Sequence, residues 1–265
     1  MNIILRRIIR FYYDVHVKKI NTVSVIILTQ NSEEYLAILL EFLRTYFSEI
    51  IVGVDRKSTQ HTFDVATKYT QKVFWIENPA GIVEDTIEQL VSHCSHDWVL
   101  RLDDDELVSI ELIAFIRKYL PKLSVDAVGI HRKWCRVNLS NSLLEYSTNP
   151  VYSFDWQWRL FRKDRVSFNT NVHTPGISFC SETKAPLDGF IMHFDWVYRD
   201  FNYRQQKVAH YESICKGSGH SDYYLYELNP SHNALFSPLF RPDCEAVIQS
   251  LIPFQQKSLA HDPVI

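Results

Sequence analysis

Between residues 22 and 106, short apolar runs alternate with longer stretches whose apolar residues recur every three or four positions. Val23-Ser24-Val25-Ile26-Ile27-Leu28 and Ile50-Ile51-Val52-Gly53-Val54 are almost continuously apolar and rich in β-branched residues, the pattern of strands buried on both faces. Lys72–Ile76 and Trp98–Leu102 read as a third and a fourth strand. Between them, Leu36, Leu39, Leu40, Leu43 and Phe47 predict a helix starting at Glu33, with Asn31 or Ser32 as its N-cap. Thr62–Tyr69 and residues 83–94 predict two more helices. Strands and helices in strict alternation with short links imply an α/β fold built on a parallel, doubly wound sheet.

Polar residues follow these strands directly. Thr29-Gln30-Asn31-Ser32 ends the first, Asp55 the second, and Asp103-Asp104-Asp105-Glu106 the fourth. In an open α/β sheet such strand ends line one crevice, where the ligand binds. Four consecutive carboxylates repel one another, and a hard divalent cation held by oxygen ligands is a natural screen. The alternative is that the acids favour the N-terminus of a helix over Leu107–Leu120. Recurrence of polar residues at several strand ends favours the metal site.

The pattern changes after residue 120. Residues 127–134 read as a strand turning polar, 136–155 as a loop, Trp156–Arg162 as an aromatic strand and Phe190–Trp196 as a strand with a polar end. A helix is expected over 197–215, and beyond 216 the chain reads as irregular, with Pro230, Pro238, Pro242 and Pro253.

Composition narrows the possibilities. Of 265 residues, 46% are hydrophobic and 22% charged, so the chain is globular. A net charge of −3 gives no electrostatic case for nucleic acid. The sole Gly-x-Gly, Gly217-Ser218-Gly219, follows a helix and not a strand, which argues against glycine-rich dinucleotide and phosphate loops. A nucleotide bound here needs a metal for much of its phosphate charge. Five cysteines without metal-type spacing read as reduced core thiols of a cytoplasmic protein. No apolar run is long enough to span a membrane, and no cleavage site for a signal peptide is apparent. In residues 1–20, Ile4, Ile8, Phe11 and Val15 fall at helical spacing beside Arg6, Arg7, Arg10, Lys18 and Lys19. This segment fits either an amphipathic helix on the anionic inner face of a membrane or a helix packed on the protein itself.

Three motifs in order, Val25-Ile26-Ile27-Leu28-Thr29-Gln30-Asn31, Val54-Asp55-Arg56-Lys57-Ser58-Thr59 and Asp97 to Glu106, resemble glycosyltransferase family 2 and its GT-A fold. Arg159-Leu160-Phe161-Arg162 and Val172-His173 resemble later motifs of its lipopolysaccharide- and capsule-type members. The resemblance spans roughly residues 22–215. It implies transfer of a sugar from a nucleotide diphosphate sugar to a glycan or lipid-linked acceptor. Within that span the resemblance implies a nucleotide-sugar half at 22–120 and an acceptor-binding and catalytic half at 121–215; a basic stretch at 1–21 and an aromatic extension at 216–265 flank them. A GT-A-like protein that binds nucleotide or glycan without turnover is the competing reading.

The resemblance carries site residues with it. Asp103 and Asp105 form an Asp-x-Asp motif expected to hold Mn²⁺ or Mg²⁺, with His193 as a further ligand. Thr29, Asn31, Asp55 and Asp103 are expected to face the nucleotide. An inverting transfer needs a base for the acceptor hydroxyl, and the candidates are Asp195, Asp155 and His173. Departures from the family pattern are Arg56 where many members have a second acid, Gln60 after Ser58-Thr59, and Thr174 where many have Glu after the histidine.

Overall fold

The computed structural model describes residues 19–150, 152, 155–228, 236–239 and 245–260. The basic segment 1–18 and Cys244 lie outside them, so the membrane-surface expectation for the N-terminus does too.

The first part of the chain runs β1 (Ile20–Thr29), α1 (Glu33–Tyr46), β2 (Phe47–Asp55), α2 (Gln60–Thr67), β3 (Lys72–Ile76), a 3-10 turn at Val83–Thr86, α3 (Ile87–Val91) and β4 (Trp98–Asp103). These four strands are parallel, in the order β3-β2-β1-β4. Val23, Val25, Ile26 and Ile27 of β1 are wholly buried, because helices cover both faces of the sheet. One face takes Leu36, Leu40 and Leu43 of α1, and burying each such side chain contributes about 1.5–3 kcal/mol. The other face takes Ile87, Leu90 and Val91 of α3. Gly53 permits this approach: a Cβ there would lie 2.6 Å from Leu90 Cδ2 and 2.7 Å from Ile76 Cγ1.

The order of these strands places the crevice. From β1 the chain steps outward to β2 and β3, then returns to the opposite side of β1 as β4. The direction reverses between β1 and β4, and ligands bind beyond the carboxyl ends of strands at such a point. Leu28 pairs with Asp103 in the register, so the acidic run starts beside the end of β1.

The run does not cap a helix. After the turn at Asp104 and Asp105 comes a short strand, β5 (Glu106–Val108), and only then α4 (Ile110–Lys118). The cap of α4 is Ser109, whose Oγ accepts the Leu112 N–H at 3.2 Å. The acids are thereby held away from the helix end that the alternative reading assigned to them.

The second part is β6 (Ala127–Asn138), β7 (Leu143–Ser147), β8 (Trp156–Arg162), β9 (Ser167–Phe168), β10 (Ile177–Ser178), β11 (Glu182–Lys184), β12 (Phe190–His193), α5 (Asp195–Tyr198), α6 (Phe201–Ile214), α7 (Ser221–Tyr224), β13 (Phe236–Pro238) and α8 (Glu245–Leu259). β8 joins β4 antiparallel, and β6, β7 and β13 continue the sheet. Residues 136–147 are therefore a hairpin, not the expected loop. The C-terminal region holds a long helix despite Pro253, because Ile248 and Leu251 pack into the main core.

One pairing builds the site. β12 lies parallel to β6 and antiparallel to β5, with His193 opposite Glu106. The Phe194 N–H then donates to the Asp105 carbonyl at 2.9 Å. Residues almost ninety positions apart are thus stitched together at the end of the acidic run. Of the thiols, Cys94 and Cys135 are buried, but Cys180 and Cys215 are exposed and are not part of the core. No helix among the described residues is long and apolar enough to cross a membrane.

Candidate active site

A pocket of about 600 Å³ opens over the carboxyl ends of β1, β2 and β4. Thr29, Asp55 and Lys57 lie on one side, the acidic run on its floor, and Trp134, Asp155 and Gln157 on the far side. The α6 residues Tyr203, Gln206, Lys207, His210 and Tyr211 form a wall, since their spacing puts them on one face of the helix.

The four acids have separate partners. Asp103 receives a two-pronged contact from Arg159, with Nη1 donating to Oδ1 at 2.8 Å and Nη2 to Oδ2 at 2.7 Å. Burial works against its ionisation, but Arg159 keeps it well below the usual carboxylate range. Asp104 accepts from Thr29 Oγ1 at 2.9 Å and from Arg199 Nη2 at 3.2 Å. Burial, reinforced by neighbouring Asp105 and offset in part by Arg199, raises its pKa to about 6. Glu106 turns inward, accepting the Asp103 N–H at 3.0 Å and facing Arg132 and Arg159, so it supports the turn from beneath.

Asp105 turns toward β12. Its Oδ1 lies 3.4 Å from His193 Nε2, and Asp195 completes a buried group of three whose ligand atoms fall within 4.8 Å of one another. Asp105 Oδ1, Asp195 Oδ2 and His193 Nδ1 are buried without a hydrogen-bond partner. Orphaned buried atoms are costly, and their concentration on three convergent residues marks a place shaped for something that binds them. Two carboxylates and one imidazole form a donor set suited to a divalent cation. Burial alone would raise both acids. His193 beside Asp105, and Lys207 2.8 Å from Asp195, hold them below the ordinary range instead.

Among the nucleotide-facing expectations, Thr29, Asp55 and Asp103 line the pocket. Asp55 accepts the Lys57 N–H at 2.8 Å through Oδ1, while its buried Oδ2 has no partner. Asn31 is exposed and outside the pocket, and its Oδ1 accepts the Thr59 N–H at 2.9 Å, which ties two loops together. Among the base candidates, Asp195 is fully buried within the acidic group. Asp155 faces the pocket and accepts from Arg132 Nε at 2.7 Å and Trp134 Nε1 at 3.0 Å. Burial is overcome there by Arg132, which leaves Asp155 ionised. His173 also faces the pocket. Its Nε2 lies 2.6 Å from the Ser218 carbonyl and must donate to it, so Nδ1 is the ring's acceptor, and burial pushes its pKa down to about 4.

Sequence reasoning did not single out Arg199, Lys207, Arg101 or Glu84, all of which help form the site. Arg199 and Lys207 sit in a segment that reads only as a helix. The available signal was the four-residue spacing of Tyr203, Lys207 and Tyr211 on a helix without an apolar stripe. Trp156, Trp158 and Trp196 do not line the pocket, and Trp196 is buried among Trp134, Tyr152 and Tyr226.

A switch-point pocket with acids at the ends of β2 and β4 defines an α/β protein whose crevice suits a charged, polar ligand. Residues 24–185 match the model of glycosyl transferase family 2, and the chain belongs to that family: it is a glycosyltransferase of GT-A fold. Comparison with curated proteins gives no match. Among solved structures, the chain is similar to S. aureus TarS residues 1–349, with TM-score 0.48, 17% identity, and coverage of 80% of this chain and 72% of that one. The same protein in complex with UDP-GlcNAc gives TM-score 0.46 and 17% identity, covering 91% and 82%. HddC from Yersinia pseudotuberculosis gives TM-score 0.38 and 13% identity, covering 64% and 92%.

Proposed function

We infer that this glycosyltransferase is metal-dependent and inverting, moving a sugar from a nucleoside diphosphate to a hydroxyl of a glycan or lipid-linked acceptor. The observation that supports this reading best is the buried Asp105–His193–Asp195 group with its orphaned atoms, of which Asp105 and His193 line the pocket. Asp105 and His193, with Asp195 on the third side, would hold Mn²⁺ or Mg²⁺. When bound, the ion would stabilise the negative charge that builds on the diphosphate leaving group. Asp103, held in place by Arg159, would face the ribose. Asp55, with Oδ2 free, would accept from a donor group of the nucleoside, and Lys57 stands beside it.

Asp155 is the base this reading assigns. Arg132 favours its ionised form, it lines the pocket, and Arg132 and Trp134 on Oδ2 with Gln157 on Oδ1 fix its orientation while leaving a lone pair of Oδ1 for an incoming hydroxyl. Its depressed pKa makes it a mild base, suited to taking the proton late, as the glycosidic bond breaks. His173 is already committed through Nε2 to Ser218.

A panel of UDP- and GDP-sugars, assayed for donor hydrolysis with and without Mn²⁺ and Mg²⁺, tests the reading. It predicts metal-dependent turnover of at least one donor, abolished in Asp155→Asn when an acceptor is supplied. Nucleotide binding without turnover of any donor would favour the binding-protein alternative.

A further inference from the structure

The acidic group carries its own counter-charges. Lys207 Nζ lies 2.8 Å from Asp195 Oδ1. Arg199 Nε lies 3.5 Å from the same oxygen and 3.8 Å from Asp105 Oδ2, while its Nη2 donates to Asp104. The three carboxylates Asp104, Asp105 and Asp195 thus face the two fixed cations Arg199 and Lys207, leaving one negative charge. A divalent ion added alone would turn the group net positive in a buried place, where unbalanced charge is costly. A nucleoside diphosphate arriving with the ion supplies the missing negative charge.

The two cations are held differently. The Arg199 guanidinium lies against the rings of Tyr35 and Tyr203, 5.6 Å and 4.6 Å from their centroids, and is shared among three carboxylates. Among the described residues Lys207 makes its ion pair with the single carboxylate Asp195, and its ammonium lies 4.6 Å from the Tyr224 ring centroid. Its side chain is 21% exposed where that of Asp195 is 0%, and it lines the pocket from α6. An ammonium on a flexible four-carbon stem can change partners at little cost, whereas a stacked, planar guanidinium cannot.

We propose that Lys207 is a resident counter-cation that occupies the acidic group in place of the divalent ion, and that it passes from Asp195 to the donor's diphosphate when the ion enters. This rests on the metal-assisted reading above. It makes ion and nucleoside diphosphate bind cooperatively, each poorly alone, and the coupling is reciprocal by linkage. It also gives Lys207 two successive roles, holding the empty acids together and then clamping the leaving group.

The test is Mn²⁺ binding by the full chain, read from the electron paramagnetic resonance signal of the free ion, with no donor sugar and no turnover. In the wild-type protein, UDP or GDP should tighten Mn²⁺ binding roughly tenfold or more. Lys207→Met should bind Mn²⁺ alone roughly tenfold more tightly than wild type and lose most of the enhancement by nucleotide. Lys207→Gln provides the same comparison should the methionine variant not fold. Unchanged Mn²⁺ affinity in Lys207→Met and Lys207→Gln, with the nucleotide enhancement intact, overturns the proposal and leaves the metal reading standing. Absence of Mn²⁺ binding in wild type and variants alike, with or without either nucleotide, overturns the metal reading itself.

Discussion

The parallel half of the sheet carries a polar cluster at each end, and the two are built on opposite terms. At the amino ends of the strands, Glu49 of β2 accepts from Lys72 Nζ at 2.6 Å, from the Ser95 N–H at 3.0 Å and from the Ser24 hydroxyl. Lys72 also donates to Ser95 Oγ at 2.9 Å and the His93 carbonyl at 3.1 Å, and the His96 N–H reaches Ser24. No atom of Glu49, Lys72, Ser24 or Ser95 is left buried without a partner. At the carboxyl ends, Asp105, His193, Asp195 and Asp55 each keep an orphaned atom. The first cluster is complete, closing the gap between strand starts. The second leaves buried atoms unpaired. Polar density alone does not separate structure from function, but the state of satisfaction does.

Substitutions at the two ends should break in opposite ways. The largest effect is expected for Asp105→Asn, which should cut turnover by roughly 10²–10³-fold or more while leaving the thermal midpoint close to wild type. It removes one of several mutually repelling carboxylates and keeps the shape of the side chain. Retained turnover in that variant would erase the distinction between the two ends.

Glu49→Gln should do the reverse, costing about 1–3 kcal/mol of stability with turnover unchanged, because it removes the charge paired with Lys72 and one of the two acceptor oxygens shared by Lys72, Ser95 and Ser24. Its pH dependence sharpens the contrast. Despite some burial, hydrogen bonds from Lys72, Ser24 and Ser95 lower the folded pKa of Glu49 from 4.5 to about 2. A carboxylate with a depressed folded pKa stabilises the fold above its unfolded pKa. That stabilisation is lost as pH falls from about 4.5 through 2. Denaturation curves of wild type and variant, separate at pH 7, should therefore converge across this window. Curves that stay parallel would mean that the amino-end cluster is not what Glu49 contributes.

The same contrast explains what could be read in the sequence. β1, β2 and β4 were legible because burial on both faces leaves near-continuous apolar runs, and the polar residues at their ends, acidic after β2 and β4, were legible because nothing local accounts for them. Asp103 to Glu106 announced a site but not its internal division. Asp103 is claimed by Arg159, fifty-six positions away, a pairing nothing local marks; His193 was expected near Asp105 as a further ligand, but the β5–β12 pairing that brings them together is not marked locally. Lys207 was hidden for the same reason. Ser109 was overlooked as a cap because the neighbouring acids gave the stronger signal for a helix start. The helix over Glu245–Leu259 was masked by Pro253, whose local cost is outweighed by burial of Ile248 and Leu251.

The most direct test of the incomplete cluster is anomalous scattering at the manganese edge from crystals grown with Mn²⁺ and UDP. The account predicts one strong peak within bonding distance of Asp105 and His193, with Asp195 on its third side and the diphosphate beside it. A peak held by Asp103 without His193, or nucleotide density in the pocket with no metal, would contradict it.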